Sequence, residues 1–258
     1  MRRYLLTLAL MALASSAHGQ QASPAKVTVD IRGHSVDVYT YAASTKPARG
    51  RIILAPGDGG WRGFAITIAE TVSSWGYEVS GFDTRRYLET FTTGQSTLRE
   101  TDVMADMHTL AESMKHGVED RAIFAGWSEG AGLAVLAGVS EDDKKSYRGI
   151  IAIGLTESAV LGWRWADAVT YVTKKQADEP SFASATYLPK IASLPFLQIH
   201  SSGDEYTSVA AAKKLFSAAQ EPKRFSLVQA QDHRFSGGRP EFFRALREGL
   251  DWMNTASH

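Results

Sequence analysis

Residues 122–132 read Ala-Ile-Phe-Ala-Gly-Trp-Ser-Glu-Gly-Ala-Gly, and this stretch carries the strongest indication of the fold. It contains the pattern G-x-S-x-G, centred on Ser128, between a continuous apolar run and a segment of small residues. Where a buried strand turns sharply into a helix, the backbone at the serine is strained and the flanking positions accept only glycine. The turn exposes the hydroxyl at the edge of a sheet, where the positive end of the helix dipole favours negative charge. The stretch therefore predicts Ser128 as a nucleophile; the alternative is a Gly-rich turn in some other doubly wound protein.

Short apolar runs of the same kind recur along the chain and predict strands that are buried on both faces. They occupy residues 52–55, 79–82, 149–153, 196–199 and 225–228. Between them lie segments with helical periodicity, as at residues 103–114 and 243–253, where apolar side chains recur every three or four positions. Strands that alternate with helices predict an α/β fold with a mainly parallel sheet and helices on both faces.

Ahead of these units, residues 27–31 and 36–41 alternate apolar and polar side chains on either side of a turn. This pattern predicts an N-terminal hairpin. Because the 258 residues show no internal repeat and no low-complexity linker, we expect one domain over residues 27–254. The longest interval without a clear strand is 155–190, which we predict to be a lid over the site. Ordinary helix packing on the sheet is the alternative.

A serine nucleophile needs a base and an acid that orients the base, and in this architecture the chain order is serine, acid, histidine. Asp204 and Glu205 follow one predicted strand, and His233 lies in the loop between the last strand and the final helix. We predict Ser128, Asp204 and His233 as the catalytic residues, with Glu205 as the competing acid. His200, which ends a strand, is the rival base and is interpreted as a buried structural histidine.

The loop after the first predicted parallel strand reads Pro56-Gly-Asp-Gly-Gly-Trp61. Such a loop supplies one backbone N–H to an oxyanion, and the residue after the nucleophile supplies another. We expect the N–H groups of Asp58 and Glu129 to hold the oxyanion, with Gly59 as the second candidate in the loop. A phosphate-binding loop is a poor interpretation because the full Walker pattern with its lysine is absent.

Composition narrows the classes of function. Lys and Arg total 28, as do Asp and Glu, so the formal charge is zero and the basic excess of a general nucleic-acid binder is missing. The chain has no cysteine, which excludes disulfides, thiolate metal sites and a cysteine nucleophile. Because no group of His, Asp and Glu has metal-ligand spacing and the serine mechanism needs no cofactor, we predict no metal, no cofactor and no nucleic-acid partner.

Residues 1–19 have the organisation of an export signal. Arg2 and Arg3 precede an apolar run of about 11 residues, which is too short to span a bilayer. The small residues Ala17 and Gly19 fit cleavage after Gly19. We therefore expect removal of residues 1–19 and a periplasmic location; a buried N-terminal helix is the alternative.

Four segments stand out together: Gly57-Asp-Gly-Gly-Trp61, Gly81-Phe-Asp-Thr-Arg-Arg-Tyr87, the turn at Gly126 and His233-Arg-Phe-Ser-Gly237. In combination they resemble the bacterial VirJ/AcvB family, over most of the chain that follows the signal. The sequence departs from the family's commoner residues at Trp127 and Glu129. The resemblance implies an exported protein of αβ-hydrolase fold, linked to virulence. Some members remove an amino acid esterified to a lipid headgroup, as in lysyl-phosphatidylglycerol.

Two classes of function follow from the sequence. The first is a serine hydrolase of carboxylic esters, most specifically aminoacyl esters of phosphatidylglycerol, that contacts the membrane peripherally; a general carboxylesterase is a variant of this class. The second is a non-catalytic periplasmic accessory or binding protein of a secretion system, since the resemblance links VirJ to secretion as well as to lipid. The three triad residue types in the correct order favour the enzyme.

Substrate contacts are predicted at Arg86, Gly59, Trp61 and Trp127. Arg86 matches the family's arginine and would meet a lipid phosphate, because a guanidinium suits bidentate phosphate binding. An ion pair with Asp83 or another nearby carboxylate is the competing interpretation.

The acidic side chains of Glu129 and Asp58 would lie beside the acyl group. Negative charge there opposes catalysis unless a positive charge compensates it, so they predict recognition of a substrate ammonium. The Gly-Trp-Ser-Glu-Gly turn is also similar to the Gly-Trp-Ser-Asp-Gly turns of some amino-acid-ester hydrolases. The alternative is that Glu129 caps the first turn of its helix and Asp58 is held within its own loop.

Overall fold

The computed structural model describes residues 23–92, 97–117, 120–164 and 180–256. The export signal predicted at residues 1–19 lies outside these ranges, as does the segment 165–179 of the predicted lid. Within them, no helix combines the length and the apolar character needed to cross a membrane.

An eight-stranded sheet forms the centre of the domain, and a separate sheet of two short strands lies apart from it. In chain order the strands are β1 Ala25–Ile31, β2 His34–Tyr41, β3 Gly50–Ala55, β4 Tyr77–Phe82, β5 Ala122–Trp127, β6 Tyr147–Ile153, β7 Ser158–Val160, β8 Ser181–Ala183, β9 Phe196–Ser201 and β10 Lys223–Val228. The large sheet has the order β1-β2-β4-β3-β5-β6-β9-β10, and β7 pairs with β8. The pairs β1–β2 and β2–β4 are antiparallel and all other pairs in the large sheet are parallel.

Helices cover both faces of the large sheet. They are α1 Phe64–Ser74, α2 Thr84–Phe91, α3 Glu100–Ser113, α4 Glu129–Ala137, α5 Glu141–Lys144, α6 Ser184–Tyr187, α7 Val209–Ala218 and α8 Arg239–Ala256, with a 3-10 helix at Leu188–Ile191. One hydrophobic core contains Met107 of α3 and Leu133 of α4. The core on the other face contains Ile68 of α1 and Leu250 of α8. The strands between them read as continuous apolar runs because both of their faces are buried.

The predicted architecture is confirmed: an N-terminal hairpin leads into a mainly parallel sheet with helices on both faces. Each strand of the large sheet includes the run that predicted it and extends two residues further, since backbone pairing continues past that run; β7 and β8 were not predicted. In α8 the predicted apolar face is shifted slightly. Phe242 is fully buried there, and Phe243 is partly buried against the same core.

The described part of the predicted lid is short and irregular. It contains the pair β7–β8, the one-turn helix α6 and the 3-10 helix. Phe182 of β8 is buried in the core next to Gly132 of α4, so this part of the insertion packs against α4. Action as a lid stays a prediction.

Candidate active site

Ser128 lies at the sharp turn between β5 and α4. Its backbone has φ 60° and ψ −125°, a conformation that costs free energy for any residue other than glycine. A Cβ at Gly126 would meet the carbonyl of Gly130, and a Cβ at Gly130 would meet the carbonyl of Ala55. The turn therefore has the tight backbone packing that the G-x-S-x-G pattern predicts.

The imidazole of His233 contacts the carboxylate of Asp204. The two residues lie in the loops after β10 and β9, and the parallel pairing of these strands brings both loops to the same edge of the sheet. His233 Nδ1 lies 2.6 Å from Asp204 Oδ2, and the Asp204 side chain has no exposed surface. Asp204 Oδ1 also accepts the backbone N–H groups of Tyr206 and Thr207. These bonds hold the carboxylate in one orientation.

Glu205, the competing acid, makes a different contact. Its Oε2 accepts the backbone N–H of His233 at 2.8 Å. Of the two candidates, Asp204 is therefore the one hydrogen-bonded to the imidazole, and Glu205 holds the backbone of the same loop.

Burial and charge act in opposite directions on this pair. Burial favours the neutral imidazole and would lower the pKa of His233, but the hydrogen bond and charge of Asp204, with the charges of Glu129 and Glu205, raise that pKa above its ordinary value. Burial would raise the pKa of Asp204, whereas the hydrogen bond and charge of His233 lower it. The imidazolium form of His233 is therefore stabilised.

His200 is completely buried next to this pair. Its Nε2 lies 2.9 Å from the carbonyl oxygen of Thr207, and its Nδ1 lies 3.9 Å from Asp204 Oδ2. Burial lowers the pKa of His200, which favours the neutral ring. These contacts agree with its interpretation as a structural histidine.

A cavity of about 810 Å³ opens at the carboxyl edge of the sheet, and Ser128 and His233 both line it. His233 Nε2, on the side of the ring away from Asp204, is buried and has no hydrogen-bond partner within the described residues. Thr156, Glu157 and Val160, from the start of the predicted lid, also line the cavity.

The predicted oxyanion loop also lies beside Ser128, because Asp58 and Gly59 line the cavity and a Cβ at Gly57 would lie 2.8 Å from Ser128 Cβ. However, the N–H of Asp58 already donates to Glu129 Oε2 at 3.1 Å. In this structure the N–H is therefore occupied, and its role as an oxyanion donor stays a prediction. Glu129, an acidic residue in the first turn of α4 that lines the cavity, thereby connects α4 to the loop after β3.

Two aromatic residues hold His233 in place. The ring of Trp127, a predicted substrate contact, is stacked on the His233 ring with centroids 6.1 Å apart, and its Nε1 donates to the His233 carbonyl at 3.4 Å. Tyr206 meets the His233 ring edge-on at 5.2 Å. Both line the cavity. The sequence analysis missed Tyr206; its position two residues after the predicted acid was the available signal.

Two predicted substrate contacts lie elsewhere. Trp61 is stacked on Tyr39 with centroids 5.7 Å apart, and it fills the space where a side chain at Gly81 would be. Gly60, at φ 77°, leaves similar room for the carboxylate of Asp83. The two motifs Gly57–Trp61 and Gly81–Tyr87 therefore pack against each other, and Trp61 is a packing residue rather than part of the cavity lining.

Arg86 is also outside the cavity. Its side chain is exposed, it is not among the lining residues, and its backbone N–H donates to Asp83, the N-cap of α2. The neighbouring Arg85 pairs with Glu89 and lies over the Trp163 ring. Arg86 therefore lies outside the cavity that Ser128 and His233 line, and the structure does not support its predicted contact with a substrate there.

Three other arginines, which the sequence analysis did not select, line the cavity: Arg62, Arg234 and Arg239. Two of them are next to residues that the sequence did select, since Arg62 follows the predicted oxyanion loop and Arg234 follows His233. No group of three or more His, Asp or Glu side chains in the described ranges is arranged to hold a metal ion.

Comparison with known proteins finds one family similarity, over β3 to β6 and the Ser128 turn. Residues 51–166 match the model of a family described as bacterial virulence protein (VirJ). This part of the chain is similar to the VirJ family. The match spans β3 to the start of the insertion and includes both packed motifs and the Ser128 turn. No curated protein sequence matches this chain.

Solved structures share the fold at low sequence identity. The esterase domain of a Rhodothermus marinus protein has a TM-score of 0.62 at 17% identity, covering 92% of this chain and 100% of that one. The alpha/beta hydrolase GrgF from Penicillium sp. sh18 has a TM-score of 0.68 at 12% identity, with coverage of 91% and 100%. A soluble variant of monoglyceride lipase from Saccharomyces cerevisiae has a TM-score of 0.65 at 13% identity, covering 93% of this chain and 97% of that one. These similarities show that the chain has the αβ-hydrolase fold.

Proposed function

We propose that this protein is a serine hydrolase that cleaves carboxylic esters. The observation that carries the proposal is the buried Asp204–His233 pair, at 2.6 Å, in the same cavity as the strained Ser128. Fold alone does not imply function, but a strained serine, an imidazole and a buried carboxylate at one sheet edge suit acyl transfer. The esterase and lipase named among the structural neighbours are consistent with this chemistry.

In this mechanism Ser128 attacks the ester carbonyl while His233 Nε2 accepts the serine proton, which His233 later returns to the leaving alcohol. Asp204, hydrogen-bonded to Nδ1, fixes the tautomer that leaves Nε2 as the acceptor and stabilises the imidazolium. The N–H of Glu129, in the first turn of α4, has no acceptor within its helix and is one oxyanion donor. The N–H of Asp58 is the second donor once the Glu129 carboxylate has moved away.

The substrate class we propose is an aminoacyl ester of phosphatidylglycerol, of the lysyl type. Two features support it: the resemblance to the VirJ/AcvB family and the carboxylates of Glu129 and Glu157 in the cavity lining. A lysyl ester carries one ammonium beside the scissile carbonyl and another further out, so two carboxylates suit it. The proposal includes export to the periplasm by residues 1–19 and peripheral contact with the membrane that holds the lipid.

A second candidate function is a non-catalytic accessory or binding protein of a secretion system. The observation that favours it is the contact between Glu129 and the N–H of Asp58, because a site with one oxyanion donor occupied by a carboxylate is not ready for catalysis. Partners among secretion-system proteins belong to this candidate.

A fluorophosphonate probe on the purified protein separates the two candidates. We expect covalent labelling of the wild type and none of Ser128→Ala. Ser140→Ala, a serine outside the cavity lining, is the matched control and should label normally. Absence of labelling in the wild type, with a cooperative thermal transition proving that it is folded, would support the accessory protein.

Substrate class is tested by comparing hydrolysis rates for lysyl-phosphatidylglycerol, alanyl-phosphatidylglycerol and a neutral aryl ester. A kcat/KM that is highest for the lysyl lipid is the expected result. Equal values for all three would leave a general carboxylesterase as the better description.

A further inference from the structure

Three arginines line the cavity, two of them near the starts of α1 and α8 and one in the loop after β10. Arg62 precedes α1, and its guanidinium lies over the oxyanion loop, 4.0 Å from a Cβ built at Gly59. Arg239 is the first residue of α8, and its Cζ lies 4.7 Å from the centre of the Phe64 ring at the start of α1. Arg234 directly follows His233. The contact between Arg239 and Phe64 brings the two helix starts together at the cavity, which Arg234 also lines.

These guanidinium groups do not form ion pairs. Among the residues that the structure describes, no carboxylate lies within salt-bridge distance of Arg62, Arg234 or Arg239, although all three line a cavity that also has acidic residues. By contrast, most arginines elsewhere in the described chain have an acidic partner, as Arg51 does with Asp120.

The carboxylates on the same side of the cavity accept backbone N–H groups instead. Asp232 Oδ1 accepts the N–H groups of Arg234 and Ser236, and Glu205 accepts the N–H of His233. Glu129 accepts the N–H of Asp58. Because these carboxylates hold the loops of the site, the arginine side chains keep their charge available to a ligand.

We propose that Arg62, Arg234 and Arg239 form a subsite for the phosphate group of a ligand bound in this cavity. Guanidinium groups bind phosphate oxygens in bidentate fashion, and several of them together match a diffuse negative charge. The subsite adjoins His233 through Arg234. In an aminoacyl glycerophospholipid, a glycerol unit separates the ester oxygen from the phosphate, so a phosphate subsite next to the reacting groups is where such a substrate requires it. The inference deepens the proposed function, and its kinetic test rests on that function; its binding test does not.

The binding test uses the full chain carrying Ser128→Ala and measures dissociation constants by calorimetry for glycerophosphoglycerol, inorganic phosphate and glycerol. We expect binding of at least one phosphate compound and none of glycerol. The double substitution Arg234→Gln/Arg239→Gln should raise the dissociation constant of the phosphate compound about tenfold. Each exposed charge-assisted contact contributes a factor of a few to binding. Arg62→Gln alone should raise this dissociation constant by a smaller factor. Arg62→Lys, which keeps the positive charge, should bind the phosphate compound more tightly than Arg62→Gln does.

Arg86→Gln is the matched control, since Arg86 is exposed and lies outside the cavity lining. Its dissociation constants should equal those of the parent. Tighter binding of glycerophosphoglycerol identifies a lipid headgroup as the ligand, and tighter binding of inorganic phosphate identifies a free phosphate. Binding that the double arginine substitution leaves unchanged, or the absence of binding by either phosphate compound, would overturn the proposal.

The kinetic test compares kcat/KM for lysyl-phosphatidylglycerol with that for a neutral aryl ester in the enzyme with Ser128 intact. In Arg234→Gln/Arg239→Gln the ratio of the two values should fall about tenfold, through a higher KM for the lipid. An unchanged ratio would overturn the proposal. A protein that binds glycerophosphoglycerol as expected but hydrolyses neither ester would keep the subsite and reject the hydrolase.

Discussion

The carboxylate of Glu129 accepts the backbone N–H of Asp58, with 3.1 Å between Oε2 and the amide nitrogen. Glu129 is the first residue of α4, and Asp58 belongs to the loop after β3, so this bond joins the nucleophile turn to the oxyanion loop. In the proposed mechanism, an acyl oxyanion and this carboxylate would compete for the same donor. A cationic group on the substrate that attracts the Glu129 carboxylate would therefore open the oxyanion site as it binds.

Glu129→Gln should reduce activity selectively on substrates that carry an ammonium. A desolvated charge-assisted contact contributes about 1.5–3 kcal/mol, or about ten- to a hundredfold in kcat/KM. We expect a loss of that size on an aminoacyl ester and little loss on its N-acetylated analogue, both measured by steady-state kinetics. Equal losses on the two esters would mean that Glu129 shapes the turn and does not recognise the ammonium.

The pH dependence of kcat/KM should follow His233. The base must be neutral, so activity should rise with pH through a pKa that lies above the ordinary histidine value. Burial lowers this pKa, but the hydrogen bond and charge of Asp204 and the charges of Glu129 and Glu205 raise it by more. Glu129→Gln removes one of these negative charges and should move the acid limb of the profile to lower pH. Glu248→Gln, on the exposed side of α8, should leave the limb in place.

Asp204→Asn and Glu205→Gln should differ greatly in effect. The asparagine would favour the wrong tautomer of His233, and comparable substitutions lower kcat on the order of 10⁴-fold. A glutamine at position 205 still offers an oxygen to the His233 N–H, so a change of a few-fold is expected from the loss of a charged acceptor alone. A nearly silent Asp204→Asn with a severe Glu205→Gln would reverse the assignment of the acid.

Gly154→Ala should impair catalysis through His233. A Cβ at Gly154 would lie 2.6 Å from His233 Cε1, and its φ of 60° disfavours alanine. Gly33→Ala is the matched control, because Gly33 has φ 81° with nothing within 4 Å of a built Cβ. Each substitution should cost about 1–2 kcal/mol of folding free energy, measured by denaturant unfolding. Only Gly154→Ala should also lose labelling by the fluorophosphonate probe; equal labelling of both variants would remove Gly154 from the site.

Local patterns in the sequence determined the fold and the Ser128 turn. Buried parallel strands, an N-terminal hairpin and a strand-to-helix turn flanked by glycines each follow from side-chain periodicity and backbone sterics over a few residues. For the same reason the sequence also predicted that the loops with Asp204 and His233 lie at one sheet edge. The carboxyl ends of parallel strands meet there whatever the details of packing.

The tertiary structure decided which side chains within those loops meet. Asp204 and Glu205 are adjacent in sequence, and only the path of the loop after β9 directs one to the imidazole and the other to the backbone N–H. Arg86 and Arg62 both lie near predicted features, yet only Arg62 lines the cavity. Such contacts join residues far apart in the chain, and their distances depend on how helices and loops pack on the sheet. Residue type and local spacing contain no information on that packing.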